Sequence, residues 1–197
     1  MFWRRLDILT VFFLSTGKGP YLHLKKTLQV KGVDRCHHIS CVSSEKIWVS
    51  DNYNKLVLTD TSTGDTMHQV KDSLHNFDSS VGLHAVNRDS ELIYCDQFNN
   101  VKKFSKKLNR EVLLDYAAEN EWKLRCVFCC PSTGDLLLGM WKIKSNQGKV
   151  KRYNNAGELT QIISHDGKQR FFYRKPIYIT ENNNGDVVVS DVMLGVV

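Results

Sequence analysis

One apolar motif recurs four times along the 197-residue chain, at intervals of about 45 residues. Each copy is a short strand-like run that ends in a small residue and, in three of the four copies, an aspartate. The copies are Ile47–Asp51, Leu92–Asp96, Leu136–Met140 and Val187–Asp191. A period of this length with several strands per unit is typical of β-propeller blades. A helical solenoid would show 3.6-residue periodicity, which these runs lack.

Further strands surround each copy of the motif. A first apolar strand precedes it, and tight turns such as Pro131–Asp135 and Asn182–Asp186 supply glycine where a hairpin needs a positive φ. A third strand, clearest at Lys149–Tyr153, alternates charged and apolar residues, which predicts a half-exposed strand. A fourth strand completes the unit. The sequence therefore predicts an all-β fold, an incomplete β-propeller of four-stranded antiparallel blades.

The predicted organisation is an N-terminal segment followed by one partial propeller. Residues 1–20 are expected to be irregular or weakly signal-like, and residues 21–197 to form the propeller, in which 21–31 resemble the outer strand of a preceding blade. The predicted blades, about three and a half, span residues 36–80, 81–122, 123–174 and 175–197. An open arc exposes edge strands, so self-association through blade edges is expected.

Composition excludes several classes of protein. The chain is 42% hydrophobic and 24% charged, which is typical of globular domains and not of disordered ones. No apolar run approaches the ~18 residues of a membrane-spanning helix. The formal net charge of +6 arises from residues 99–197, because residues 1–98 contain as many acidic as basic residues. This bias permits an anionic partner.

The cysteines and the N-terminus point to different compartments. Six cysteines are too few for a disulfide scaffold, and most lie in apolar runs, so a cytoplasmic protein with reduced, packed thiols is predicted. Cys36, placed in a loop, is the expected accessible thiol. The basic start at 1–5 and the apolar run Ile8–Leu14 have the outline of a signal peptide, and a secreted repeat protein remains the alternative.

No catalytic, metal or cofactor site is predicted. Cys36, His37 and Cys41 lack the further ligand that a zinc site needs. The C-x-x-C spacing of Cys126 and Cys129 lies along a strand, where no helix N-terminus activates a thiolate. The recurring aspartates are interpreted as caps of the loops that follow them. A ring of such carboxylates in a calcium-dependent, lactonase-like propeller enzyme is the alternative.

The blade pattern resembles the NHL repeat, in particular the C-terminal propellers of TRIM-type (tripartite-motif) proteins. The best-matching stretches are His38–Asp51, Leu136–Tyr153 and Ile179–Asp191, and Met140 departs from the aspartate of the other copies. The resemblance implies a non-enzymatic module that recognises protein or RNA targets for a ubiquitin-ligase or regulatory protein. It implies no ligase chemistry for this chain, since the sequence contains no RING or B-box array of Cys and His.

A ligand-binding face is predicted where loops enter first strands and leave second strands, because these loops share one end of a propeller. Aromatic residues alternate there with Lys and Arg, which suits either single-stranded RNA or a protein partner. Phe171 and Phe172 are interpreted either as part of this face or as fillers between blades. The predicted ligand-binding residues are Trp122, Lys123, Trp141, Lys142, Lys144, Tyr173 and Arg174.

Overall fold

The computed structural model describes residues 14–16, 22–24, 28–51, 55–70, 83–116, 118, 121–165, 171–182 and 184–195. The chain divides into two compact units, Met1–Lys71 and Asp72–Val197. Every regular element in the described residues is a β-strand, apart from one short 3₁₀ helix at Ile143–Ser145. That helix is far too short to cross a bilayer, and the described residues contain no longer one.

The first unit contains a two-stranded sheet and one four-stranded blade. Its strands are β1 (Leu14–Thr16), β2 (Leu22–Leu24), β3 (Cys36–Cys41), β4 (Lys46–Asp51), β5 (Leu56–Asp60) and β6 (Thr66–Val70). β1 pairs antiparallel with β2, and the blade has the order β3-β4-β5-β6. β4 is the most buried of the four blade strands, as its apolar sequence predicts.

The segment before the first blade corrects one sequence expectation. Residues 21–31 were predicted to be an outer strand; of those that the structure describes, 22–24 and 28–31, only Leu22–Leu24 form a strand, and it pairs with β1 inside the segment expected to be irregular. Residues 28–30 lie outside any strand. Leu28 and Val30 instead bury their side chains against Ile47 and Val49 of β4. The alternation of apolar and polar residues at positions 28–30 is typical of a strand, but the contact of Leu28 and Val30 with the blade core decides the conformation of this segment.

The second unit contains two complete blades and a strand pair. The second blade is formed by β7 (His84–Val86), β8 (Leu92–Cys95), β9 (Asn100–Phe104) and β10 (Arg110–Asp115). The third blade is formed by β11 (Trp122–Cys129), β12 (Leu136–Lys142), β13 (Gln147–Tyr153) and β14 (Leu159–Ile163). The half-blade is formed by β15 (Pro176–Glu181) and β16 (Val187–Asp191). Neighbouring strands are antiparallel and consecutive in the chain within each sheet.

Apolar side chains hold the blades of the second unit together. β11, the first strand of the third blade, contacts β7 and β8 on one side and β15 on the other. Cys126 and Leu137 of the third blade form a buried cluster with Ile179 and Val189 of the half-blade. Burial of such side chains contributes about 1.5–3 kcal/mol each. Adjacent blades are thereby fixed relative to each other, and their loops keep defined positions.

Hairpin turns follow the predicted glycine chemistry. Gly134 and Gly185, each preceding the second strand of a blade, have φ of 78° and 83°. These left-handed conformations favour glycine, which has no Cβ to clash with the backbone. The predicted turns and all the predicted blade strands are present, with shifts of a few residues at their ends. The fold is therefore the all-β, incomplete β-propeller that the repeats predict.

Candidate functional site

The aspartate that ends the motif ties two loops together. In the half-blade, one carboxylate oxygen of Asp191 accepts the backbone N–H groups of Arg174 and Lys175 at 2.6 and 2.8 Å. The other oxygen accepts those of Met193 and Leu194 at 2.9 and 3.1 Å. One buried side chain therefore fixes both the loop that enters β15 and the turn that follows β16.

The aspartates of the first two blades act in the same way. Asp96 accepts the backbone N–H groups of Phe98 and Asn100, both at 2.9 Å, and its second oxygen lies 2.9 Å from the Lys102 ammonium. Asp51 accepts the N–H of Lys55 at 2.9 Å. The interpretation of these aspartates as loop caps is confirmed. Among the described residues, no group of three or more His, Cys, Asp or Glu side chains is arranged to bind a metal.

The third blade lacks this cap and its central hairpin is longer. Met140 occupies the aspartate position and is fully buried. β12 continues past it to Lys142, and β13 begins at Gln147, so strand pairing extends beyond the point where β8 stops. The 3₁₀ helix closes the hairpin, and Asn146, its C-terminal cap, has a left-handed φ of 54°. The missing aspartate thus accompanies a hairpin that projects further than its counterpart in the second blade.

Four of the predicted ligand-binding residues lie on this extended pairing. Trp122 is directly opposite Lys142, and Lys123 is directly opposite Trp141, across β11 and β12. The sequence placed these four residues in loops, whereas the structure places them at the ends of strands. The predicted boundary between residues 122 and 123 also separates Trp122 from β11, in which it is the first residue.

The loop that enters the half-blade packs directly on the extended hairpin. Gly148, opposite Trp141 in the β12–β13 pair, donates its N–H to the carbonyl oxygen of Tyr173 at 2.8 Å. A Cβ at position 148 would lie 2.8 Å from Tyr173 Cβ and 3.0 Å from the Arg174 carbonyl oxygen. Only glycine allows this approach. The structure therefore brings Tyr173 and Arg174 against the hairpin that contains Trp141.

Lysine and arginine side chains lie over both tryptophan rings of the site. The Lys149 ammonium is 3.7 Å from the ring centre of Trp122. Trp141 has the Lys175 ammonium at 4.7 Å and the Arg125 guanidinium at 5.6 Å. Such cation–π contacts contribute about 0.5–2 kcal/mol each. The sequence did not predict these three cations as neighbours of the tryptophans, because a residue's position along a strand or loop does not show where its long side chain points.

Asn99 connects the second blade to the start of the third. It is buried, and it has a left-handed φ of 73°, which asparagine tolerates better than most residues. Its side-chain amide donates to the carbonyl oxygens of Tyr116 and Trp122 at 3.1 and 2.9 Å. Its side-chain oxygen accepts the N–H of Leu124 at 2.8 Å. Asn99 thereby sets the position of Trp122.

Large apolar side chains are exposed at the same end of the second unit. Phe98 follows β8, Ile143 lies in the 3₁₀ helix, Phe171 and Phe172 precede β15, and Met193 follows β16; all five are exposed. Phe171 and Phe172 are therefore not simply fillers between blades. We call this surface the loop end, and it consists of residues 98–99, 122–123, 141–145, 171–175 and 192–194.

The exposed positive charge of the loop end is smaller than the sequence suggests. Lys144 and Arg174 are exposed, while Lys123 and Lys142 are half-buried. The Lys142 ammonium lies 2.7 Å from a carboxylate oxygen of Glu121. This hydrogen bond lowers the pKa of the Glu121 carboxyl, so the carboxylate stays ionised near neutral pH. The charge of Lys142 is thus balanced within the chain.

The cysteines behave as packing residues, with one correction. All six are free thiols. Burial raises the pKa of both Cys126 and Cys129 to about 12, so neither forms a reactive thiolate in its strand. Burial also raises the pKa of Cys36, expected to be the accessible thiol, to about 11, whereas the exposed thiol is that of Cys41 at the end of β3.

Comparison with known proteins supports the fold and no specific family. No protein-family model matches the chain, and no curated protein matches it in sequence. The WD40 β-propeller domain of Doa1 is similar in structure, with a TM-score of 0.56 and 18% identity over 84% of this chain and 50% of that one. The β-propeller domain of Cps50 (Swd1) from Myceliophteria thermophila has a TM-score of 0.53 and 12% identity, over 85% of this chain and 54% of that one. Hydrazine synthase from Kuenenia stuttgartiensis has a TM-score of 0.58 and 12% identity, over 85% of this chain and 46% of that one.

The blades and these neighbours define the class of the protein as a β-propeller. The chain spans about half the length of the propeller structures it matches. At such low identity the likeness shows the fold alone. The resemblance to the NHL repeat of TRIM-type proteins stays a prediction from the blade motif.

Proposed function

We propose that this chain is a non-enzymatic recognition module that binds a partner protein through the loop end of its second unit. The observation that carries the proposal is the set of large apolar side chains, led by Phe98 and Phe172, exposed on loops that buried hydrogen bonds fix in place. Exposed apolar groups that cluster on a fixed surface are typical of protein interaction sites.

The rigidity of the surface supports recognition. Asn99 fixes the start of the third blade, Gly148 fixes the loop at Tyr173, and Asp191 fixes both loops of the half-blade. These contacts link three neighbouring sheets in one continuous series. A partner that binds such a preorganised surface loses less conformational entropy than one that must order its loops.

The geometry favours a protein over single-stranded RNA as the ligand. A base that stacks on Trp122 would have to displace Lys149 or use the opposite face of the ring. The Lys142 ammonium already pairs with Glu121 and gains less from a phosphate. Apolar side chains such as Ile143 contribute little to phosphate binding but suit an apolar protein surface.

We extend the proposal to the class of assembly. The blade motif resembles NHL repeats, and on that basis the module recognises targets for a TRIM-type ubiquitin-ligase or regulatory protein in the cytoplasm. Ligase chemistry would belong to a RING domain and is not assigned to this chain. The loop-capping aspartates support a binding module over the alternative of a calcium-dependent enzyme, because their oxygens accept backbone N–H groups that a metal would have to displace.

Affinity capture tests the proposal. The immobilised full chain is incubated with cell extract, and retained proteins are compared among wild type, Phe172→Asp, Trp141→Ala and the control Leu159→Asp. Leu159 is about as exposed as Phe172 but lies on the outer strand β14. Specific partners should be lost with the two loop-end variants and kept with the control.

Two results would contradict the proposal. Equal retention by all four proteins would show that the loop end is not the recognition surface. A labelled single-stranded RNA 20-mer of mixed sequence is tested in parallel, in low and high salt. Tight RNA binding that Trp141→Ala abolishes, with a steep salt dependence, would assign the same surface to RNA instead.

A further inference from the structure

Positive charge and exposed apolar side chains coincide on the loop end. Its segments contain no aspartate and no glutamate. The carboxylates of Asp96 and Asp191, which hold its loops, are buried and accept backbone N–H groups. The basic residues of the loop end are Lys123, Lys142, Lys144, Arg174 and Lys175. The surface therefore favours a ligand of negative charge.

Two of these cations are exposed and unpaired. Lys175 is buried. The Lys142 ammonium lies 2.7 Å from a carboxylate oxygen of Glu121, and Lys142, with a smaller contribution from Lys144, lowers the pKa of that carboxyl. Lys144 and Arg174 are exposed, and neither forms a salt bridge within the described part of the chain. These two side chains are the positive groups that a partner can reach.

The two exposed cations lie on neighbouring loops. Gly148 is opposite Trp141 in the β12–β13 pair and donates its N–H to the carbonyl oxygen of Tyr173 at 2.8 Å. Lys144 is three residues beyond Trp141 in the same hairpin, and Arg174 follows Tyr173 directly. Because a residue advances the chain by about 2–3.3 Å in these conformations, the two backbones are on the order of 10 Å apart. Two carboxylates about three residues apart on an extended segment have the same spacing.

Exposed apolar side chains lie beside both cations. Ile143 precedes Lys144, and Phe172 is two residues before Arg174; both apolar side chains are exposed. Asp191 accepts the N–H of Arg174 at 2.6 Å and fixes this loop. A guanidinium binds a carboxylate through paired hydrogen bonds, while exposed apolar groups need an apolar partner surface. The best ligand therefore combines carboxylates with large apolar side chains.

We propose that the loop end binds an acidic segment of its partner protein, in which Asp or Glu residues flank large apolar side chains such as Leu or Phe. The inference rests on the proposed function and names the chemistry of the partner. Carboxylates of the segment contact Lys144 and Arg174, and its apolar side chains pack on Ile143 and Phe172. Opposite charges also accelerate association at low salt.

Synthetic peptides test the chemistry directly. The first fluorescein-labelled peptide has a central Leu-Phe pair with two Glu residues on each side. The second has Lys in place of Glu, and the third has Ser-Ser in place of Leu-Phe. Each is titrated into the full chain, with fluorescence anisotropy as the readout. The first peptide should bind about tenfold or more tightly than either of the others.

Matched variants locate the binding. Lys144→Glu combined with Arg174→Glu should weaken the acidic peptide by about tenfold or more and strengthen the basic one. The control combines Lys106→Glu with Lys107→Glu, which changes the net charge equally on the exposed turn between β9 and β10, at the other end of the second blade. It should leave peptide binding unchanged. Urea unfolding midpoints of both double variants check that the fold is retained.

Four results would overturn the proposal. Two of them are equal binding of the acidic and basic peptides and equal losses in the two double variants, because charge would then act without a defined site. A third is the absence of acidic-peptide binding up to about 1 mM. The fourth is tighter binding of the RNA 20-mer than of the acidic peptide, lost in Lys144→Glu with Arg174→Glu, which would assign these cations to nucleic acid.

The capture experiment separates this proposal from the proposed function. Partners retained from extract by Lys144→Glu with Arg174→Glu, but lost with Phe172→Asp, would overturn the acidic class of partner and leave the loop end as the recognition surface. Partners lost with both would support both proposals. Retention of the same partners by every variant would contradict the proposed function itself.

Discussion

Arg152 of β13 joins the third blade to the half-blade, and its removal should destabilise the second unit. Its Nε lies 2.7 Å from Asp135 Oδ2, and its Nη1 lies 2.9 Å from Glu181 Oε1. The three side chains are largely removed from water, with exposed fractions of 16% for Arg152, 18% for Asp135 and 5% for Glu181. Arg152→Met keeps much of the volume and removes the charge.

The magnitude follows from what the substitution leaves behind. Removing one partner of a buried ion pair costs about 3–5 kcal/mol, because the other charge stays desolvated. Arg152 and Asp135 retain some contact with water, so the cost should fall somewhat below this range, and we expect about 2–3 kcal/mol. Replacing both Arg152 and Glu181 by methionine should recover much of this loss, since no uncompensated charge remains at position 181.

Urea-induced unfolding followed by circular dichroism measures these differences. Wild type, Arg152→Met, Glu181→Met and the double variant form a double-mutant cycle, with the slopes of the transitions compared to check that the unfolded states are alike. The expected coupling between the two sites is about 1.5 kcal/mol or more.

A surface ion pair of similar length provides the control. Lys31 and Asp65 approach to 2.6 Å, but their side chains are 68% and 55% exposed. Lys31→Met should leave the midpoint of unfolding unchanged, because exposed pairs contribute little. An effect of Arg152→Met as small as that of Lys31→Met, or strictly additive effects in the cycle, would refute the argument that burial makes this ion pair important.

Three further predictions concern thiols, loop packing and strand edges. Because burial raises the pKa of Cys126 and Cys129 to about 12, the unfolded chain loses these protons first, so the contribution of the two thiols to stability should be constant below about pH 9 and fall between pH 9 and 12. Iodoacetamide at pH 8 should label Cys41 first, and fast labelling of the native Cys126 would contradict the buried assignment. Gly148→Ala should cost about 1–3 kcal/mol in urea unfolding, because the added Cβ would lie 2.8 Å from Tyr173 Cβ and 3.0 Å from the Arg174 carbonyl oxygen, closer than van der Waals contact. An unchanged midpoint would show that the loop does not press on the hairpin. The edge of β16 that faces away from β15 should cause the chain to self-associate in light scattering, and Val188→Lys should reduce this; a stable wild-type monomer at micromolar concentration would count against it.

The sequence predicted the fold because repetition multiplies weak local signals. A single run such as Val187–Asp191 is ambiguous, but four runs in phase, each after a glycine turn or a polar turn, leave few alternatives to blades. The role of Asp96 and Asp191 followed in the same way, since a carboxylate repeated at a strand end is best explained by the loop beside it.

The sequence did not predict contacts that depend on the direction of a side chain. Lys149 was predicted on a half-exposed strand and Lys175 in the loop that enters the half-blade, and only the packed blades show that both ammonium groups lie over tryptophan rings. Cys41 looked buried because its neighbours are apolar, yet it lies at a strand end that is exposed. Leu28 and Val30 alternated as a strand would, but their burial against the first blade holds them outside any strand.

Met140, which replaces the aspartate of the repeated motif, explains why the candidate site lies on the third blade. In the second blade, Asp96 turns the chain by accepting two N–H groups, and the pairing of β8 stops there. Met140 cannot accept these bonds and is buried instead, so β12 and β13 remain paired as far as Lys142 and Gln147. The extension carries Trp141 out to the level of the neighbouring loops, where Gly148 lets Tyr173 pack beside it. A residue that weakened the repeat pattern in the sequence is therefore the residue that gives the third blade its distinct surface.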